Sequence, residues 1–280
     1  MPADTIETKL ATEYESLRRR QYELIIGLLN VLPKVDQLGE ERLSQMRDAL
    51  FHADHPFLAV LVGPFNSGKS SIINALLGTP DLLTVGPVPT TDRINILRYG
   101  EEVQRMTTGA EVETVFHPSS LLKRVSLVDT PGLESVFQKH EDITRRFLHR
   151  ADMVLMVMLA TQAMTARNLE YLQTLKEYGK KVIIVINQSD LLNTAETASV
   201  LEYVTQESQS RLGFKPEIWM VSAKMGLEAW QGGKRDIATW EASGLNRFEN
   251  WIEQQLGDVA RLRQKLTTPL QIASNVNQSA

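Results

Sequence analysis

The sequence predicts an α/β fold: a mostly parallel sheet with helices on both faces, and a small helical bundle made from the two ends of the chain. Three observations predict it. Short apolar runs alternate with amphipathic stretches from Phe57 to Val221, the pattern of strands linked by crossover helices. A glycine-rich turn, Gly63–Ser70, follows the first run and opens the first helical stretch. On either side of this region, apolar residues recur every three or four positions, the spacing of one helix face. The 280 residues, 42% apolar and 23% charged, suffice for one large domain plus an annex and exclude a disordered chain.

The first fifty residues read as helix. Leu10, Tyr14, Leu17, Leu24, Leu28 and Val31 form one apolar stripe, Arg18, Arg19 and Arg20 lie between them on a face read as solvated, with a lipid or nucleic-acid contact as the alternative, and Pro33 ends or kinks the helix. A second helix covers Glu40–Phe51. Strands are expected at Phe57–Val62, Ile94–Tyr99, Val125–Val128, Met153–Leu159, Val182–Ile186 and Ile218–Val221, with a further candidate at Val112–Phe116. Helices are expected at Ser70–Leu77, Glu141–Arg150, Thr165–Tyr178 and Glu196–Leu212. Connections around Ile94–Tyr99 and Val112–Phe116 are short, which predicts one antiparallel edge strand. The last helix carries Phe248, Ile252, Leu256, Val259, Leu262 and Leu266 on one face and ends at Pro269. The first and last helices each need an apolar partner, and pairing with one another supplies it. Trp219, Trp230, Trp240 and Trp251 are expected in core or bundle contacts, with Gly232-Gly233 as loop.

A net charge of −4 provides no global basic field to recruit nucleic acid or anionic lipid. The absence of cysteine excludes disulfides, thiolate zinc sites and a cysteine nucleophile. The opening MPADTIETKL lacks a secretory pattern, and no apolar run approaches the roughly 18 residues of a membrane span. A soluble protein of a reducing compartment is expected. His52, His55, His117, His140 and His149 show neither ligand spacing nor catalytic pairing.

Four motifs carry chemistry. Gly63-Pro64-Phe65-Asn66-Ser67-Gly68-Lys69-Ser70 fits the phosphate-binding pattern G-x4-G-K-[ST], in which backbone N–H groups and a helix N-terminus cradle phosphates. Lys69 reaches the β/γ-phosphates and the Ser70 hydroxyl binds Mg²⁺. Asp129-Thr130-Pro131-Gly132 closes a strand; the carboxylate suits Mg²⁺ through water, and Gly132 lets the next segment swing toward a γ-phosphate. In Asn187-Gln188-Ser189-Asp190, a carboxylate can accept from both N1–H and the 2-amino group of guanine, a pair that adenine lacks. Ser222-Ala223-Lys224 suits backbone contact with the base's O6. Each alone could be a strand-end turn with a capping Asp or Asn; all four in this order, each at a strand end, point to a guanine nucleotide.

With these motifs the chain resembles a G domain of the phosphate-loop GTPases. The stretches FNSGKSSIINALLG, PVPTTDRINILRYG and VSLVDTPGLES are similar to the bacterial dynamin-like proteins and, more distantly, to mitofusins. The resemblance implies nucleotide contacts at Gly63, Phe65, Asn66, Ser67, Gly68, Lys69, Ser70 and Ser71, at Gly132, at Asn187, Gln188 and Asp190, and at Ser222, Ala223 and Lys224. It implies Mg²⁺ at Ser70, Thr91 and Asp129, with Lys69, Thr91 and Asn66 in catalytic roles. Thr91 aligns with the metal- and water-contacting threonine of the first switch, with Thr90 as the alternative. Arg145 and Arg146 could cross a dimer interface, or lie on a solvated face.

The departures from the pattern matter. Gln188 stands where the specificity motif has Lys, Leu133 where Ras-type proteins have a water-positioning Gln, Phe65 where eukaryotic dynamins have a catalytic Gln, and Asn66 where arginine-finger relatives have Arg. An Asn at that loop position resembles cation-dependent GTPases, which predicts K⁺ (or Na⁺) beside the phosphates; a loop-fixing Asn is the plain alternative. The expected organisation is helices of a neck or bundle at 1–55, a dynamin-type G domain at 56–243 and a C-terminal neck helix at 244–280. The expected activity is hydrolysis of GTP to GDP and phosphate, activated by homodimerisation through the nucleotide face. In the intact protein it is coupled to membrane remodelling, with lipid contacted through regions outside this chain, no nucleic acid partner, and a cytoplasmic, peripheral-membrane location. A truncated piece of a longer protein is favoured over a short natural relative. A regulatory switch of the ribosome-assembly sort and a nucleotide-gated scaffold are the alternatives.

Overall fold

In the computed structural model the described residues are 3–31, 43, 46–47, 49–50, 57–86, 93–108, 112–132, 147–148, 150–163, 165–177, 182–231, 233–256, 262–263, 265–267, 269–270 and 273–274. The chain divides into two compact units, one of Met1–Phe57 with Glu253–Ala280 and one of Leu58–Ile252.

The larger unit is an eight-stranded sheet of β1 (Leu58–Val62), β2 (Ile94–Tyr99), β3 (Gln104–Thr108), β4 (Val112–His117), β5 (Ser126–Asp129), β6 (Met153–Leu159), β7 (Val182–Asn187) and β8 (Glu217–Met220). Its order is β3-β4-β2-β5-β1-β6-β7-β8. The five strands from β5 to β8 in that order are parallel: Leu61 sits opposite Asp129 and Leu155, and Val185 opposite Val157 and Trp219. Strands β1 and β7 are buried throughout, as is all of β6 but its last residue, which is why they read as unbroken apolar runs.

The other side of the sheet differs from the expected single antiparallel edge. Strand β2 pairs antiparallel with β5 and parallel with β4, and an additional strand, β3, pairs antiparallel with β4 at the edge. The chain leaves β2, crosses β4 and returns through the β3–β4 hairpin. Gly100 makes the crossing possible, since a Cβ there would lie 2.7 Å from Phe116 Cβ, while its N–H donates to His117 O at 3.2 Å. Buried His117 binds Thr79 Oγ1 through Nε2 (2.9 Å) and accepts from Ser119 N–H at Nδ1 (3.2 Å), a core role.

Helices α2 (Lys69–Leu77), α3 (Ala166–Glu177) and α4 (Thr194–Leu212) follow β1, β6 and β7. A capping box between Asn193 and Glu196 starts α4. Beyond β8 come α5 (Ala223–Glu228), the hairpin β9 (Trp230–Gln231) and β10 (Lys234–Arg235), α6 (Ile237–Ala242) and α7 (Leu245–Leu256). Of the expected loop at Gly232-Gly233, Gly233 lies in the turn before β10 and Gly232 lies outside the described residues. That hairpin holds Arg235 between the rings of Trp230 (4.5 Å) and Trp240 (4.2 Å), with Glu249 of α7 closing the set at 2.7 and 3.2 Å. Trp230 Nε1 donates to Ala75 O of α2 at 2.9 Å. Trp219, Trp251 and Phe248 form a second aromatic cluster.

In the smaller unit α1 (Ala3–Val31) packs through Tyr14, Gln21 and Ile25, whereas Leu17, Leu24 and Val31 of the expected stripe are exposed. Ile25 joins Met46, Ala49 and Ala273 in one apolar cluster, and Gln21 Nε2 donates to Leu266 O at 2.6 Å, so the two ends of the chain share this unit. Two apolar stripes run along α1, and the buried one is set by the partner, not by apolar content. Pro269, Leu270, Ala273 and Ser274 are helical, so helical conformation is found at and beyond the expected end, while residues 268, 271 and 272 lie outside the described residues; proline is tolerated in the first turn of a helix, where its N–H is not needed. Val259, Pro33 and most of Glu141–Arg150 lie outside the described residues, although Phe147, Leu148 and Arg150 are helical there. Among the described residues, no helix is long and apolar enough to cross a membrane.

Candidate nucleotide site

The C-terminal ends of β1, β5 and β7 and the turn after β8 converge on one edge of the larger unit. The loop after β1 turns sharply: Asn66 has φ 59° and Gly68 φ 90°, and Gly68 is the N-cap of α2. A side chain at Gly68 would also strike Asn187, whose Nδ2 lies 2.0 Å from the position of a Cβ. The helix thus opens directly behind the loop, presenting its N-terminal N–H groups and positive dipole end.

Lys69 is buried, 6% exposed, and its Nζ donates to Gly63 O (3.1 Å) and Pro64 O (3.0 Å). Burial pushes its ammonium down to about 8, and the nearby Asp129 carboxylate opposes the fall. Asp129 is fully buried at the end of β5, and its Oδ2 accepts from Ser70 Oγ at 2.7 Å. Burial pushes this carboxyl up, against the pull of Lys69 and the Ser70 hydroxyl. Its Oδ1 is buried with no partner among the described residues. A fixed carboxylate with one unsatisfied oxygen beside a serine hydroxyl, both hard donors, is a donor set that fits Mg²⁺. Thr130 Oγ1 donates to Leu61 O at 2.8 Å and ties this turn to β1, while Gly132 lies against Phe65.

Asn187 joins three of the motifs. Its Nδ2 donates to Ser67 O (3.1 Å) and its Oδ1 accepts from Ala223 N–H (3.0 Å), so one buried amide bridges the phosphate loop and the turn after β8. Ala223 N–H, a candidate donor to the base, is therefore engaged by Asn187. Gln188 takes a left-handed conformation (φ 64°) and starts the short 3-10 turn Ser189–Leu191 that presents Asp190 to solvent. Ser222 Oγ accepts from Met225 N–H and caps α5, and Lys224 is exposed. Ser71 is half-buried in the first turn of α2, beside Lys69 and Ser70. Thr90, Thr91, Leu133, Arg145 and Arg146 lie outside the described residues. The bridging role of Asn187 was not legible beforehand, because spacing identifies the motif but not which of its atoms face protein.

A family model described as a 50S ribosome-binding GTPase matches residues 58–188. The chain is 31% identical over 294 residues to the probable transmembrane GTPase FZO-like, chloroplastic, of Arabidopsis thaliana, covering 97% of this chain and 32% of that protein. It is 25% identical over 276 residues to dynamin-like protein 1 of Campylobacter jejuni, covering 71% of this chain and 37% of that protein. A solved structure of an oligomerised bacterial dynamin pair shares the fold, with a TM-score of 0.64 at 21% identity over 94% of this chain and 47% of that one. The chain thus spans about a third of the two curated relatives and about half of the solved one.

Proposed function

We propose that this chain is a dynamin-like GTPase of the phosphate-loop class, which binds GTP with Mg²⁺ at the strand ends described above and hydrolyses it to GDP and phosphate. The reading rests chiefly on one observation: the phosphate loop, Asp129 and the Asn187–Asp190 turn lie side by side, with Asn187 joining the loop to Ser222–Lys224. Loop N–H groups and Lys69 hold the phosphates, Ser70 and Asp129 hold Mg²⁺ together with Thr91, and Asp190 selects guanine. When bound, Mg²⁺ neutralises charge on the β- and γ-phosphates. Asn66, exposed at the tip of the loop with φ 59°, is the residue we assign to a monovalent cation, K⁺ or Na⁺, which substitutes for the absent Gln and Arg.

Dimerisation across the nucleotide face completes the site in this reading. The intact protein couples turnover to membrane remodelling as a peripheral membrane protein, with 1–55 and 244–280 as neck helices flanking a G domain at 56–243. The decisive assay is GTP turnover against protein concentration, at constant ionic strength in K⁺, Na⁺ and a bulky organic cation. Turnover per molecule should rise with concentration and fall in the organic cation. Flat, slow turnover would instead favour a partner-binding switch, in line with the ribosome-binding description of the matching family model. Absence of turnover would favour a scaffold.

A further inference from the structure

The helix that carries Lys69 and Ser70 also grips the chain leading into the first switch, and it does so through one side chain. Asn74 is fully buried on α2, one turn beyond Ser70. Its Nδ2 donates to Pro80 O (2.6 Å) and Leu83 O (2.9 Å), and its Oδ1 accepts from Leu83 N–H (2.9 Å). Both donors and the acceptor of this amide are therefore spent on the loop that leaves the helix, and none on the helix itself. Asn is a mediocre helix former, so the position is held by these bonds and not by propensity. The same loop is held from the other side: Arg105 of edge strand β3 donates to Leu82 O, and His117 binds Thr79. Leu82 and Leu83 are buried, whereas Thr84 and Val85 are exposed. Further along the chain, Ile94 is buried in β2. Residues 84–93, which include both candidate switch threonines, connect Leu83 to Ile94 in sequence.

We propose that Asn74, from inside, and Arg105, from outside, are positioning residues that fix the root of the first switch to the phosphate-binding helix. This rests on the GTPase reading above and adds to it. With the root fixed, the chain enters the switch from an anchor that moves with the phosphates, because Lys69 and Asn74 belong to one helix. Releasing the root frees residues 80–83 from that helix, so more chain separates the switch threonine from its anchor and its placement beside the phosphates is less determined. Base and phosphate contacts lie elsewhere, so the loss falls on turnover and not on nucleotide affinity.

The test compares Asn74→Ser, Asn74→Asp and Arg105→Gln with the unmutated chain. Asn74→Asp keeps the shape but loses both donors and sets a carboxylate against two carbonyls; Arg105→Gln changes a half-exposed side chain and leaves the core filled. Three readouts are taken: hydrogen exchange of peptides covering 79–93 in nucleotide-free protein, affinity for a fluorescent GDP, and kcat for GTP. In the Asn74 variants, exchange over 79–93 should quicken about tenfold or more while β1 and β6 stay protected. GDP affinity should hold within about threefold, and kcat should fall by roughly 10–10². Arg105→Gln should move exchange and kcat the same way by a smaller factor. Unchanged exchange over 79–93, or kcat and GDP affinity falling by one common factor, would overturn the proposal. If the Asn74 variants do not fold, Arg105→Gln decides it, and no change in its exchange or kcat overturns it. If the unmutated chain neither binds GDP nor turns over GTP, the GTPase reading fails, and the exchange data still judge the anchor.

Discussion

Replacing Lys69 with methionine should make the nucleotide-free protein more stable while destroying its use of GTP. Lys69 is 6% exposed, and burial brings its ammonium from 10.5 down to about 8. Keeping that proton at pH 7 costs the fold roughly 3 kcal/mol. Methionine fills similar space without the charge but forfeits the bonds to Gly63 O and Pro64 O, which offset about 1–2 kcal/mol, and Asp129 loses its opposing charge. The net gain at pH 7 is about 1 kcal/mol. The sign is fixed by proton counting: between about 8 and 10.5 the unfolded lysine is protonated and the folded one is not, so this group's contribution to stability rises with pH across that window. Below about 8 both forms are protonated and the penalty is complete. Urea unfolding followed by tryptophan fluorescence suits the measurement, because Trp219, Trp230, Trp240 and Trp251 all lie in the larger unit. Lys69→Met should have the higher midpoint at pH 7, and its advantage should shrink as pH rises from 8 to 10.5. A lower midpoint for Lys69→Met at pH 7, or a difference that ignores pH across that window, would refute the reasoning. In the proposed GTPase reading, phosphates remove the same penalty by supplying opposite charge, so a loop that is costly without ligand becomes favourable with it.

Asp190→Ala should weaken GTP binding by roughly 2–4 kcal/mol, through two lost hydrogen bonds to one carboxylate, with no change in the unfolding midpoint since Asp190 is exposed; ATP competing as well as GTP against the unmutated protein would remove the guanine assignment. Asn187→Ala should behave differently, losing stability as well as affinity. It strands Ser67 O and Ala223 N–H in buried surroundings, at about 1–3 kcal/mol each, and an unchanged urea midpoint would contradict that. Gly100→Ala should destabilise by about 1–3 kcal/mol, because its Cβ would meet Phe116, and Phe116→Ala should return part of that loss in the double variant; additive losses would show that the crossing over β4 is not the cause.

The strand–helix alternation, the central strands and the strand-end positions of the four motifs were legible in residue order. Strands β1, β6 and β7 are buried on both faces, so their apolar runs are continuous and need no partner to be seen. The motifs are legible because phosphate and base recognition demand fixed residue types at fixed spacing behind a strand. Tertiary structure alone decided the rest. Strand β3, Gln-Arg-Met-Thr-Thr, lacks an alternating apolar pattern, and its described side chains are exposed; it becomes a strand by hairpin pairing with β4, which is itself placed by its non-local pairing with β2. That pairing also sets the mixed direction of β2 and β4, which loop length could not predict once the chain crossed over a neighbour. Along α1, the face holding Tyr14, Gln21 and Ile25 was chosen over the one holding Leu17, Leu24 and Val31 by what packs against it, and periodicity is blind to that choice. Asn74 and Arg235 lie inside unremarkable helical and loop sequence; their importance comes from Pro80 and Leu83 in one case, and from Trp230, Trp240 and Glu249 in the other. A buried polar group is defined by its partners, and those partners meet only when the chain has folded.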